Sequence, residues 1–108
     1  MVDTKIAEIA HRYFGLISSE GIPVKRIILF GSFVSGRTHE WSDIDFLVVL
    51  DDSVTGSEFD RVSTHLWTLG QKIDIRIEPL TISESEWQND DVTPVILVAR
   101  EQGIQIAA

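Results

Sequence analysis

The sequence predicts an α+β domain, a small mixed β-sheet with helices packed on one face, and three patterns carry that prediction. Two segments, residues 4 to 19 and 57 to 70, set apolar residues at helical spacing. Between them, Phe46-Leu47-Val48-Val49-Leu50 is apolar without alternation, the mark of a strand covered on both faces and central in its sheet. Residues 73 to 78 then alternate strictly, with Ile73, Ile75 and Ile77 on one side and Asp74, Arg76 and Glu78 on the other. The order helix, strand, strand, helix, strand, helix builds a layered domain of this class.

In the first helix Ile6, Ile9, Ala10, Tyr13 and Ile17 form the apolar stripe, and Gly21 and Pro23 end it. A strand from Val24 to Phe30 follows, because Ile27-Ile28-Leu29-Phe30 is a short apolar block bounded by turn residues. Gly31-Ser32 breaks that strand and opens a short segment to Gly36, while residues 37 to 42 read as a polar loop. The central strand runs from Asp43 to Leu50 and closes at Asp51-Asp52-Ser53. In the second helix Phe59, Val62, Leu66 and Leu69 share a face, and Gly70 lies at its end. Pro79 stops the third strand. Residues 83 to 91 are polar and compatible with a short helix or a loop. Thr93-Pro94 has the form of an N-cap followed by proline at the first helical position, leading a helix through Gln102 that Gly103 terminates. Ile104-Gln105-Ile106 is then a final edge strand.

A chain of 108 residues is long enough for one hydrophobic core but not for two, so residues 1 to 108 are expected to form a single domain. No apolar run approaches the roughly 20 residues that cross a bilayer, and Met1-Val2-Asp3-Thr4 lacks the layout of a signal peptide, so a cytoplasmic location is expected. With no cysteine there is neither a disulfide framework nor a thiolate zinc site. His11, His39 and His65 are scattered without ligand spacing. The net charge of −8 repels a phosphate backbone and argues against a long nucleic-acid substrate. The same acidity suits a protein that gathers divalent cations, and equally one kept soluble by surface charge.

Asp43 and Asp45 are the main anomaly, because aspartate is depleted in strands and these two sit at the mouth of the most hydrophobic one. At positions i and i+2 both leave the strand on the same face, with Cα atoms roughly 6.5 to 7 Å apart. Carboxylates on that spacing can converge on magnesium, which prefers hard oxygen donors and keeps positions for water and substrate phosphates. The pair is also compatible with a turn-closing role after Ser42. Gly31-Ser32, between a buried strand and a short helix, offers backbone N–H groups and a hydroxyl to a phosphate, or is an ordinary capped turn. Asp74 projects from the polar side of its strand as a third carboxylate, or as one member of a solvated face with Arg76 and Glu78.

The run Gly31-Ser32-Phe33-Val34-Ser35-Gly36, followed by Ser42-Asp43-Ile44-Asp45-Phe46-Leu47-Val48-Val49, resembles the signature of the polymerase-beta-like nucleotidyltransferase superfamily, with its palm-like fold. In particular it resembles the minimal nucleotidyltransferase (MNT) proteins of prokaryotes. The resemblance implies that Gly31 and Ser32 hold the triphosphate of ATP or another nucleoside triphosphate, that Asp43 and Asp45 bind two Mg2+ ions, and that Asp74 is the third carboxylate, serving both metal and attacking hydroxyl. The reaction it implies is transfer of a nucleoside monophosphate with release of pyrophosphate. Many relatives carry a basic residue soon after Gly-Ser, whereas here Phe33 and Val34 follow and the first cation is Arg37, which is assigned a helping role on the phosphates. Lys72 is a weaker candidate for the same task.

Larger members of the superfamily hold their acceptor on further domains, and this sequence leaves no residues for one. MNT proteins commonly pair with a small helical HEPN protein in a toxin–antitoxin module, so the resemblance implies a HEPN-type partner silenced by transfer of AMP to its tyrosine. Two alternatives stay open: a module that neutralises its partner stoichiometrically without turnover, and a small-molecule nucleotidyltransferase similar to the aminoglycoside-modifying enzymes. A homo-oligomer is open as well. Among the tryptophans, Trp67 is expected in the core and Trp87, between acidic and amide residues, at an interface, with Trp41 a further interface candidate.

Overall fold

A computed structural model of the chain describes residues 3–35 and 42–108. Gly36, Arg37, His39 and Trp41 lie outside the described residues, and with them the expected role of Arg37 on the phosphates. The elements are α1 (Thr4–Ser19), β1 (Val24–Phe30), α2 (Ser32–Ser35), β2 (Ile44–Leu50), α3 (Gly56–Ile73), β3 (Ile77–Ser83), α4 (Glu84–Asn89), α5 (Pro94–Gln102) and β4 (Ile104–Ala107). The strands form one mixed sheet in the order β3-β2-β1-β4. β1 pairs antiparallel with both β2 and β4, and β2 pairs parallel with β3 through the α3 crossover. The α+β class and the mixed sheet are as the sequence predicts, and the apolar run at 46 to 50 is indeed an inner strand. Among the described residues no helix is long and apolar enough to cross a membrane.

The period-two geometry of the strands divides the buried apolar residues into two cores, one on each face of the single sheet, which corrects the expectation of one. Ile44, Phe46, Val48 and Leu50 of β2, with Ile27 and Leu29 of β1, pack against Ile6, Ala10, Tyr13 and Ile17 of α1 and Leu66 and Leu69 of α3. Each buried Ile, Leu, Val or Phe side chain among them contributes roughly 1.5–3 kcal/mol. Tyr13 stacks on Phe46 at a centroid distance of 6.0 Å, and its hydroxyl donates to the Leu66 carbonyl at 2.7 Å, so this polar tip inside the layer is satisfied. Leu47 and Val49 point the other way and meet Ile28, Ile82, and Ile96 and Ala99 of α5. Helices on one face is therefore true of α1 and α3 only. The opposite face is partly closed by α4 and α5, because the odd-numbered apolar residues of β2 also have to leave water.

The second half of the chain departs from the expected boundaries. α3 continues past Gly70 to Ile73, and the third strand occupies Ile77–Ser83 instead of residues 73 to 78. Gly70 is not a helix end but a buried contact point, where an added Cβ would come within 3.0 Å of Ile77 Cγ2. Ile73 packs on the first core as part of the helix, while Ile75 is 72% exposed in the turn. Pro79 sits inside β3, which is tolerated because β3 is an edge strand with a ladder on one side only. Ser83 caps α4 through a reciprocal capping box with Glu86. The tryptophans exchange roles: Trp67 is 45% exposed, whereas Trp87 packs against the second core with the Arg100 guanidinium 5.8 Å from its ring centroid.

Candidate active site

The end of the sheet where β2 begins is built by three strand neighbours on one face. The β1–β2 register sets Phe30 opposite Asp45, and the parallel β2–β3 register sets Asp45 opposite Glu78. Paired residues share a face, so Asp45 is flanked by Phe30 on one side and Glu78 on the other. This is the face of Leu47 and Val49, beyond the cover of the second core. Asp45 is half-buried, while Asp43, just ahead of β2, and Glu78 are exposed.

Asp43 bears on both of the other carboxyls. Glu78 is raised above the usual carboxylate range, first because its protonated form donates a hydrogen bond to Asp43, then through burial and the charges of Asp43 and Asp45. Asp45 is raised by its burial and by the charge of Asp43. Positive charge placed among them would offset both effects, and a divalent cation on hard oxygen donors is the chemically matched source. Among the described residues no three His, Cys, Asp or Glu side chains are gathered closely enough to hold a metal ion as they stand.

Gly31 fits the same geometry. It turns the chain from β1 into α2 with φ +77°, a conformation L side chains rarely adopt, and a Cβ on it would collide with Asp45 Oδ2. Glycine is thus required both by the turn and by the approach of the carboxylate. Ser32, the first residue of α2, is half-buried beside it, and the Val34 N–H closes the turn on the Gly31 carbonyl at 3.0 Å. Ser42, just before the Asp pair, is buried at 6% exposure.

Asp74 lies in the turn that leads into β3, where the Arg76 carbonyl accepts from the Ile44 N–H at 2.8 Å, and its carboxylate is engaged locally. It follows the last residue of α3, where its N–H donates to the Gly70 carbonyl, and both its carboxylate oxygens are taken by Arg76: Nε to Oδ1 at 3.0 Å and a terminal nitrogen to Oδ2 at 2.9 Å. The Arg76 N–H also donates to Oδ1 at 2.9 Å, so the side chain shapes the helix-to-strand turn. The Arg76 hydrogen bonds hold the Asp74 carboxyl below its usual range. Lys72 is exposed in the last turn of α3. The carboxylate that the register brings beside Asp45 is Glu78, which the sequence reading treated only as a neighbour on a polar face. Nothing local marks it out; it becomes visible once β3 is aligned with β2, as both then carry an acid at their second residue.

Comparisons with known proteins agree with this architecture. No curated protein sequence matches the chain significantly. Among solved structures it is similar to a protein from Sulfolobus solfataricus assigned as a nucleotidyltransferase, with TM-score 0.62 and 16% identity over 94% of this chain and 78% of that one. It is also similar to a chain of a toxin–antitoxin complex with AMP-PNP, with TM-score 0.57 and 20% identity over 90% of this chain and 71% of that one. A third similarity is to a chain in the complex of tri-AMPylated Shewanella oneidensis HEPN toxin with MNT antitoxin, with TM-score 0.54 and 17% identity over 94% and 71%. At these identities the likeness is one of fold. Sequence membership rests on residues 8–101, which match the family model of the nucleotidyltransferase domain and include both Gly31-Ser32 and the Asp43/Asp45 pair. A match over that length, on a fold that sets a carboxylate cluster beside a glycine turn, means that the chain belongs to the nucleotidyltransferase domain family.

Proposed function

We propose that this protein transfers AMP from ATP to a hydroxyl on a protein acceptor, a tyrosine of a HEPN-type toxin, and thereby acts as its antitoxin. In this reading the acceptor oxygen forms a bond to the α-phosphorus, the bond from that phosphorus to the bridging oxygen breaks, and pyrophosphate leaves. Gly31 and Ser32 hold the triphosphate, and Asp43, Asp45 and Glu78 are the carboxylates that would hold Mg2+. We assign the third carboxylate to Glu78 rather than Asp74, because Glu78 pairs in register with Asp45 whereas Asp74 is tied to Arg76. A divalent cation bound there supplies neutralisation of phosphate charge and acidification of the attacking hydroxyl. Glu78, exposed on the outer strand, takes the acceptor's proton. The rest of the catalysis is positioning.

The observation that most supports this reading is the pairing of Asp45 with Glu78 beside a glycine that leaves room for the Asp45 carboxylate. The HEPN partner and the AMP group are supported by the similarity to the complexes with AMP-PNP and with tri-AMPylated HEPN toxin. The test is to incubate the protein with Mg2+, labelled ATP and a HEPN-type protein, alongside Asp45→Asn, Glu78→Gln and Asp74→Asn. Label should reach the partner with wild type and with Asp74→Asn, and fall by about a hundredfold or more with the other two. If Asp45→Asn still silences the partner and no variant transfers label, stoichiometric neutralisation replaces the enzymatic reading.

A further inference from the structure

On the β1 side of Asp45 lies a cavity of about 160 Å³, lined by Phe30, Gly31, Val34, Val98 and Gln102. It is well below the roughly 300–1,000 Å³ of a site that encloses a whole small molecule, so it fits one ring system. In a chain of net charge −8 its described lining residues carry no charge: an aromatic ring, two valines, a glycine and one amide. Gly31 belongs to both sites, bordering Asp45 and also lining the cavity.

Resting on the proposed function, we infer that this cavity binds the adenine base of the nucleotide. Phe30, Val34 and Val98 supply apolar walls for a neutral planar ring, and the Gln102 amide, with one donor and one acceptor side, reads the edge of adenine. The other planar group in the reaction is the acceptor's phenol, and the strand order argues against it here. Glu78, which takes the acceptor's proton, lies on β3, whereas the cavity opens beside β1, and β2 with Asp45 separates them. In-line displacement brings the acceptor from the side away from the leaving pyrophosphate, which Gly31-Ser32 holds on the β1 side.

The test measures binding of ATP, GTP and inorganic tripolyphosphate, each with Mg2+, to wild type, Val98→Trp and Gln102→Ala. Val98 is 47% exposed on α5, so a larger side chain can fill the cavity from the rim while the helix stays packed through Ile96 and Ala99; circular dichroism and Tm check that both variants fold. Val98→Trp is expected to weaken ATP at least tenfold and leave tripolyphosphate unchanged. Gln102→Ala is expected to shrink the preference for ATP over GTP severalfold. Equal effects of Val98→Trp on ATP and tripolyphosphate, or none on either, overturn the base site while leaving the triphosphate site standing. An effect of Val98→Trp confined to the KM of the acceptor assigns the cavity to the phenol and likewise overturns it. Wild type that binds neither ATP nor tripolyphosphate removes the proposed function itself.

Discussion

The two faces of the sheet are built from the same strands and differ in what they do with polar groups. On the face of α1 and α3 every β2 side chain is buried and hydrophobic, and the buried phenol of Tyr13, its proton held by the loss of water, donates to Leu66. On the face of α4 and α5 the apolar cluster is smaller, and the row that starts with Leu47 and Val49 ends in Asp45. Polar groups are tolerated along that face away from the site too: Arg26 pairs with Glu84 at 2.6 Å, leaving Arg26 Nε and Glu84 Oε1 buried with no partner among the described residues. One face therefore carries the stability of the fold. The other gives up burial at its open end, where Asp43 and Glu78 are exposed and Asp45 is half-buried.

This division can be broken most directly at Phe46, which is fully buried, stacks on Tyr13, and lies next to Asp45 in the chain. Phe46→Ala should cost about 3–5 kcal/mol in urea unfolding, whereas Asp45→Asn one residue away should cost none and abolish transfer. If Asp45→Asn destabilises comparably, the open end is structural after all. A smaller effect, about 1–3 kcal/mol, is expected for Gly31→Ala, which strains a positive-φ turn and pushes the Asp45 carboxylate away. It should therefore lose activity out of proportion to its change in Tm.

The smallest effect is on the pH dependence of stability without metal. Asp45 and Glu78 are raised from ordinary values of 3.8 and 4.5, so the folded state holds protons more tightly than the unfolded chain, and the stability this contributes is complete below those values and lost as pH rises through the raised ones. Asp74 is lowered, and its contribution is present above 3.8 and lost as pH falls through its folded value. Adding Mg2+ at pH 7 should raise Tm in wild type and have little effect in Asp45→Asn. A Tm that Mg2+ leaves unchanged in wild type would show that the carboxylates do not gather a cation.

Much of this was legible beforehand because local chemistry and period settle it. The stripe Ile6, Ala10, Tyr13 and Ile17, the unbroken run from Phe46 to Leu50, and Gly31-Ser32 ahead of Asp43 and Asp45 each declare an element or a turn by spacing alone. The region from 70 to 80 was misread because its alternation satisfies a strand template that the helix overrides. Ile73 gains more by packing on the first core as the end of α3 than by starting a strand, and the Asp74–Arg76 contact closes the turn that results. The tryptophans failed for a related reason: Trp67 adjoins Leu66 in sequence but sits a full 100° around the helix from it.

By itself, then, the sequence determined the fold class, the inner strand and the Asp43/Asp45 pair with its glycine, since these follow from periodicities and backbone preferences that act over a few residues. Which acid lies beside Asp45 was decided only in three dimensions. A parallel partner reaches β2 through an entire helix, and a shift of two residues in that register would bring a different side chain beside Asp45. The pairing of Ile44 with Ile77, set by burial in the first core, is what brings Glu78 there.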